Sequence, residues 1–460
     1  MRALWTAAAA ARATGGRPVG QWAATGVSID TRTLEAGDLF VPLKDVRDGH
    51  DFIPQAFERG AAAVLSERDV RDVPALIVED TLVALQELGR AAGRRANAKR
   101  IAVTGSVGKT SLKELLAAMC AGAGPTHKSV KSYNNHWGVP LSLARMPEET
   151  RYGVFEAGMN HKGELSELSK LIRPEIAIIT KIAPAHLAHF NSLEDIASAK
   201  AEIIDGLKDG GCLILPEEAR IFRAFHDLPE RLTVRSFGCE QTADARILEA
   251  RQTVSGSKAL IRLDGQTYEV NIPLPGAHWV ENVACALLAA KQAGITIETA
   301  LNALTDFKKL PGRGASMDID LGGRRIHLID ESYNANPESM RAAIAVLGLA
   351  KGRKIAVLGD MLELGDGETD LHVGLAGPLQ EAEIDGVFLC GPRMQALADA
   401  LPKSGLGGWA PDWQSCLDLL LAGLEDGDTL MVKGSNASGM GALVAALKAK
   451  HEMQGDLHVV

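Results

Sequence analysis

Paired cysteines are missing from this chain of 460 residues. Cys120, Cys212, Cys239, Cys285, Cys390 and Cys416 stand singly, with no Cys-x-x-Cys among them. That argues against a disulfide framework or a zinc site and suits a reducing compartment. Long apolar runs are missing too. No stretch approaches the ~20 uninterrupted apolar residues that span a bilayer, so no membrane association is expected. The opening MRALWTAAAAARATGG is interrupted by Arg12 and lacks a cleavage context, so it reads as an amphipathic helix ending at Gly15-Gly16 and not as a signal peptide. A basic stripe is also absent. With a net charge of −9, a nucleic-acid partner is not expected. No internal repeat, low-complexity tract or Gly-x-Gly-x-x-Gly fingerprint occurs. Apolar residues at 46% and charged ones at 23% fit a globular protein, expected to be cytoplasmic and monomeric.

What is present is a phosphate cradle. Ile101 to Ser111 read IAVTGSVGKTS, an apolar strand, a glycine-punctuated turn and a helix start. Gly105 and Gly108 let the backbone of Gly105, Ser106, Val107 and Gly108 turn its N–H groups toward one point. Lys109 supplies a mobile cation for the β/γ-phosphates, Thr110 a hydroxyl for Mg²⁺, and Ser111 continues the helix start. Leu112, Leu115, Leu116 and Met119 recur at the spacing of one buried helix face. Val103 stands where the general pattern has its first glycine, and a plain strand-to-helix turn is the alternative. The motif points to a nucleoside triphosphate, ATP.

A length of 460 residues exceeds one ordinary core and indicates two or three domains. In the first eighty residues, strand candidates at 38–43, 61–66 and 75–79 alternate with a helical stretch at 52–59, indicating a small α/β unit. Thr81 is placed to cap a helix reaching about Arg95. From Arg100 the strands 101–103, 153–156, 176–180 and 212–215 alternate with helices, the pattern of a parallel sheet. Between about 232 and 275 the texture becomes that of an antiparallel appendage, and a helix follows over 281–293. Pro311-Gly312-Arg313-Gly314 reads as a hinge. Strands at 326–330, 355–358, 387–390 and 429–432 then build a Rossmann-like unit. The expected organisation is a small N-terminal α/β domain over 1–84, a central P-loop parallel-sheet domain over 85–310 and a C-terminal Rossmann-like domain over 311–460.

Several residues at strand ends could carry chemistry, since ligands of open α/β sheets bind beyond the strands' carboxyl ends. Glu156 closes YGVFE and suits Mg²⁺ coordination, or is a solvated turn residue. His186 follows the strand IAIIT by a short loop and alone reads as a hydrogen-bonding histidine. Lys200 falls on an apolar stripe with Leu193, Ile196, Ile204 and Leu207. It is either a snorkelling side chain or a buried, neutral lysine open to carbamylation by CO₂ and hence an anionic metal ligand. Asp330 leads into ESYNANPESM, where Asn334 and Asn336 form a turn and Pro337 opens a helix. That turn suits ribose or amine recognition, or simply caps the helix. Lys433-Gly434-Ser435 ends another strand, and His278 and Asn282 stand four apart at a helix start.

TGSVGKTS, the run Tyr133-Asn134-Asn135-His136-Trp137-Gly138, EAGMNHKGE, IAPAHL, ASAKAE, PLPGAHWVEN, PGRG and VKGS stand in one order along essentially the whole chain. Together they resemble the Mur ligases, the ATP-dependent amide-forming enzymes of bacterial cell-wall synthesis. DESYNANPESM and LGDMLELG, with the N-terminal DTRTLEAGDLFVPL and DGHDF, look like the members that add D-alanyl-D-alanine to UDP-N-acetylmuramoyl tripeptide. The resemblance implies that Lys109 and Thr110 hold ATP phosphate and a first Mg²⁺, with Glu156 as a further ligand. It implies a second Mg²⁺ served by His186 and by Lys200 as a carbamate, with Lys109, His186 and Lys200 as the catalytic set. Asn282, Arg313 and Asp330 would contact adenine, phosphate and ribose. Asn134 and Asn135 would lie by the substrate's pyrophosphate, Thr31, Arg32, Asp48 and His50 near the uridine, and Tyr333, Asn334 and Asn336 among the substrate contacts. Trp279 and Ala157 depart from the family's usual residues. Two other readings are a folylpolyglutamate-synthase-like ligase and a non-catalytic P-loop regulator.

Overall fold

The computed structural model describes residues 2–70, 72–184, 190, 192–253, 255–308 and 310–455. Among these, three main sheets follow one another along the chain. The first has five strands, in the order Arg17–Val19, Ala75–Ile77, Ala63–Ser66, Asp38–Phe40 and Gly26–Ser28. All its pairs are parallel except the edge pair of Arg17–Val19 with Ala75–Ile77. The helix Ala7–Thr14 ends as expected, with Gly15 at φ +74°.

The helix Thr81–Ala96 is capped by Asp80, whose carboxylate accepts the Val83 N–H at 2.9 Å, and not by Thr81. The Thr81 hydroxyl is instead drawn inward to donate to the Pro42 carbonyl at 2.7 Å. Asp and Thr both cap well, and the buried carbonyl decides which of the two is free to do so. The helix runs unbroken across the expected 84/85 boundary, and its Ala84, Leu85, Leu88 and Ala92 pack with Trp5, Leu39 and Leu65 of the first unit.

The second sheet is centred on Lys99–Thr104, which lies between Tyr152–Glu156 and Ile176–Ile179 and is parallel to both. Its side chains alternate. Ile101 and Val103 pack under the helices Lys109–Ala121 and Ala277–Gln292. Ala102 faces the helices Glu164–Ile172 and Leu193–Ala201. Cover on both faces explains why the strand reads as an unbroken apolar run. The expected antiparallel appendage needs correction. Thr233–Gly238 continues the parallel sheet beside Cys212–Pro216, and only Ala245–Thr253, Gly256–Leu263 and Gln266–Ile272 pair antiparallel. They extend the same sheet to nine strands and are not a separate layer.

The third sheet has six strands, in the order Ala315–Asp320, Arg325–Glu331, Thr429–Lys433, Lys354–Gly359, Gly386–Cys390 and Leu406–Ala410. It is parallel except for the pair formed by Ala315–Asp320 and Arg325–Glu331. The two edge strands went unexpected. Leu406–Ala410 carries Gly407 and Gly408, residues that weaken a strand, and it pairs with an irregular register.

Candidate active site

Beyond the carboxyl end of Lys99–Thr104 the chain turns sharply. A Cβ on Gly105 (φ +148°) would collide with the Thr180 hydroxyl, and one on Gly108 (φ +83°) would come within 3.2 Å of Asn282 Oδ1. Both glycines are therefore sterically required. The loop is braced from the segment that follows the neighbouring strand Ile176–Ile179. Ser106 N–H donates to Lys181 O at 2.9 Å, Ser106 Oγ donates to Ala183 O at 2.8 Å, and the Thr180 hydroxyl donates to Val107 O. Nothing in the residues flanking the P-loop signalled this bracing, because it pairs positions some seventy residues apart.

The helix Lys109–Ala121 starts at Gly108 without a side-chain cap, so its first N–H groups and its dipole are presented to an anion. Lys109 Nζ folds back to donate to Gly105 O at 2.7 Å. Burial, against the attraction of Glu156 and with repulsion from Arg313, holds it below the usual lysine range.

Glu156 ends its strand 1% exposed. Its Oε2 accepts the Thr110 hydroxyl at 2.8 Å and its Oε1 accepts Asn134 Nδ2 at 2.7 Å. A buried carboxylate and a hydroxyl beside a phosphate cradle are hard oxygen donors that fit Mg²⁺. Among the described residues no group of three or more His, Cys, Asp or Glu assembles. Phosphate oxygens and water would therefore complete such a coordination shell, as is usual for this ion.

These groups open into one cleft of about 530 Å³ between the second and third sheets. Ser106 to Ser111, Asn134, Glu156 and Asn282 line one wall, and Arg313, Tyr333, Asn334, Asn336 and Lys433 the other. Arg313 lies over the Tyr333 ring at 4.3 Å, and Tyr333 N–H donates to Gly312 O at 3.1 Å. Asn336 caps the helix Pro337–Gly348 in a reciprocal box with Ser339. Lys433, 3% exposed, donates to Asn334 O at 3.0 Å and lies 3.5 Å from Glu331.

The cleft also holds residues that strand-end reasoning passed over: Thr180, Lys181, Glu281, Glu338, Leu362 and Glu363. Lys181 spans the gap, 3.9 Å from Glu281 on its own side and 3.5 Å from Glu338 opposite. Burial works against its charge, but Glu281, Glu218 and Glu338 hold its ammonium above the usual lysine range.

Other expected site residues lie off the cleft. Asp330 accepts the Ser332 hydroxyl at 2.6 Å and lies 3.3 Å from Lys448, and its neighbour Glu331 lines the cavity instead. Asn135 Oδ1 accepts the Gly138 N–H at 2.9 Å and so helps start the helix Gly138–Ala144. Lys200 is 2% exposed, and burial together with the positive charge of Lys109 holds it well below the lysine range. The helix bearing it stops at Ala201, so the expected stripe is shorter, and Leu193 is 40% exposed. His186 lies outside the described residues.

In the first unit, Thr31 donates to Gln55 Oε1 at 2.8 Å, and Arg32 pairs with Asp30 at 2.7 Å. Asp48 Oδ1 accepts His50 Nδ1–H at 2.7 Å, and His50 Nε2 accepts the Glu67 N–H at 3.1 Å. Both ring nitrogens of His50 are thus engaged, and its tautomer is set by the backbone donor.

Three family descriptions match in order: "Mur ligase family, catalytic domain" over 23–106, "Mur ligase middle domain" over 103–290 and "Mur ligase, glutamate ligase domain" over 320–436. The UDP-N-acetylmuramoyl-tripeptide–D-alanyl-D-alanine ligase of Bacillus subtilis is 36% identical over 92% of this chain and 93% of that one. The ligase of the same name from Escherichia coli is also 36% identical, with the same two coverages of 92% and 93%. The crystal structure of MurF from Acinetobacter baumannii superposes with a TM-score of 0.84 at 30% identity, covering 97% of this chain and 99% of the other. With relatives of this similarity along nearly its whole length, and a phosphate cradle facing a second α/β sheet, the chain belongs to the Mur ligase family.

Proposed function

We propose that this chain is an ATP-dependent ligase that joins D-alanyl-D-alanine to UDP-N-acetylmuramoyl tripeptide in the making of peptidoglycan precursor, as a cytoplasmic enzyme. The observation that carries the reading is the single cleft onto which the phosphate cradle, the Thr110–Glu156 pair and the strand ends of the third sheet all open. The names and similarity of the relatives supply the substrates. The organisation read from the sequence goes with it, a nucleotide-sugar domain over 1–84, an ATP domain over 85–310 and a C-terminal domain over 311–460, except that the helix Thr81–Ala96 packs on the first unit and carries it past residue 84.

A carboxylate oxygen is a poor leaving group, so amide formation needs activation. The tripeptide's terminal carboxylate attacks the γ-phosphorus of ATP, giving an acyl phosphate and ADP. The dipeptide's amine then attacks the acyl carbon, and phosphate leaves from the tetrahedral intermediate. Gly105 and Val107 to Ser111 would hold the phosphates through backbone N–H groups, the Ser106 N–H being taken by Lys181 O, while Lys109 and Arg313 set positive charge beside the transferring group. Thr110 and Glu156 are the residues that would hold Mg²⁺, which supplies charge neutralisation on the phosphate oxygens. Asn282 lies against Gly108 on the side proposed for adenine. Asp330, read from the sequence for the ribose, is held instead by Ser332 and Lys448. Asn134, Asn135, Tyr333, Asn334 and Asn336 are proposed for the substrate, and Thr31, Arg32, Asp48 and His50 for the uridine end. The acyl phosphate hydrolyses readily, and walls from two sheets exclude water when they approach.

Lys200 belongs to the same proposal. Burial and the nearby Lys109 charge favour its neutral amine, the form that adds CO₂, and the resulting carbamate, with His186, would hold a second Mg²⁺.

The test is phosphate release from ATP with Mg²⁺ and UDP-N-acetylmuramoyl tripeptide, with and without D-alanyl-D-alanine. Release that needs both, with a pentapeptide product by mass, is expected. Release indifferent to the dipeptide would overturn the assignment. In the same assay Lys200→Ala is expected to give no product even in high bicarbonate, and wild-type turnover from it would remove the carbamate.

A further inference from the structure

Lys113 stands one helical turn beyond Lys109, and its side chain is 0% exposed. A lysine is rarely buried so completely unless its charge is met on every side. Here its Nζ lies 2.9 Å from Glu114 Oε1, donates to Ser129 O at 2.9 Å and also donates to Lys131 O. Both carbonyls belong to residues 129–137, a stretch with neither helix nor strand, in which Lys131 takes the left-handed region at φ +51°.

That stretch reaches the reacting centre at three points. The Ser129 hydroxyl accepts the Glu156 N–H at 3.2 Å, Asn134 Nδ2 donates to Glu156 Oε1, and the Ser132 hydroxyl hydrogen-bonds with the Tyr333 hydroxyl across the cleft. Glu156 in turn accepts from Thr110 on the helix that carries Lys113. The hydrogen bonds close into a ring: helix, Lys113, Ser129, Glu156, Thr110 and helix again.

We propose that Lys113 is a positioning residue, a buried cationic strut that clamps residues 129–134 to the P-loop helix and thereby sets where Glu156 and Asn134 stand for the metal–nucleotide and the UDP-linked substrate. The inference rests on the proposed ligand roles of those two residues. Losing the strut leaves two carbonyls without their shared donor and releases a strained segment that regular structure does not hold.

Lys113→Met, of similar length and apolar, tests it in the full chain. Three effects are expected: a rise of about tenfold in the Mg²⁺ concentration that half-saturates ATP binding in calorimetry, faster amide exchange over 129–135, and unchanged protection in the strand Lys99–Thr104. In turnover, KM for the UDP-linked substrate is expected to rise by more than kcat falls, with Lys113→Arg recovering part of the loss. Folded Lys113→Met with wild-type exchange over 129–135 and wild-type Mg²⁺ dependence would overturn the proposal. If Lys113→Met does not fold, Ser129→Ala decides. A raised Mg²⁺ requirement supports the ring, and an unchanged one overturns it. ATP binding and exchange need no acceptor dipeptide, so a wrong acceptor assignment would show in product formation and leave this test intact.

Discussion

Beside Lys433 and Lys181, His278 has its imidazole pushed down to about 4, first by burial and then by the two ammonium groups. The sign of the consequence follows from linkage. Between about pH 6.5, the ordinary histidine value, and about pH 4 the unfolded chain binds this proton and the folded chain does not. Stability therefore falls as pH falls through that window, by at most about 3 kcal/mol and by less to the extent that cleft water screens the ring. Urea unfolding of His278→Asn at pH 7 and pH 4.5 is expected to show a shallower acid loss than wild type, and parallel losses would refute the assignment. Lys200 obeys the same physics in reverse clarity. Its residue type was readable and its stripe suggested burial, but the neighbouring Lys109 charge came only with the fold.

The strand–turn–helix that carries the phosphate cradle tolerates little change, because its glycines face atoms from elsewhere in the chain. Gly105→Ala is expected to drive the Thr180 hydroxyl off Val107 O, destabilise the protein by about 1–3 kcal/mol and weaken ATP binding at least tenfold. Calorimetric titration with ATP, together with thermal unfolding, measures both. This element was the most legible part of the sequence. Its apolar run, glycines and Leu112-Leu115-Leu116-Met119 face are all local signals, and each appears in the structure as one continuous unit. Elements decided by distant partners were less legible. Asp80 caps where Thr81 was expected because Pro42 O claims the Thr81 hydroxyl. Thr233–Gly238 joins the parallel sheet because Cys212–Pro216 offers its edge, a pairing that no local composition encodes.

Across the whole molecule, named side-chain contacts join the wall of the second sheet to that of the third. Lys181 and Glu338 face each other at 3.5 Å, and the Ser132 hydroxyl meets the Tyr333 hydroxyl. Glu338→Lys replaces attraction by repulsion next to a nucleotide wall. An increase of about tenfold in KM for ATP is expected, with an unfolding midpoint within about 0.5 kcal/mol of wild type, since the site is partly exposed. Steady-state kinetics at low and at 0.5 M salt would check this, because added salt should narrow the difference between the variants.

The sequence by itself determined the class of fold, the P-loop and the family resemblance. Each of these is written in short stretches whose periodicity, glycines and spacing act locally. Only the tertiary structure decided which strand-end carboxylate faces the cleft, Glu331 where Asp330 was expected, and which lysine is a strut and which a cleft cation. Those outcomes depend on what lies opposite a side chain, and the opposite atom can be far along the chain: Ser106 and Ala183 are 77 residues apart and Ser132 and Tyr333 are 201 apart, while Lys113 reaches Ser129 across 16.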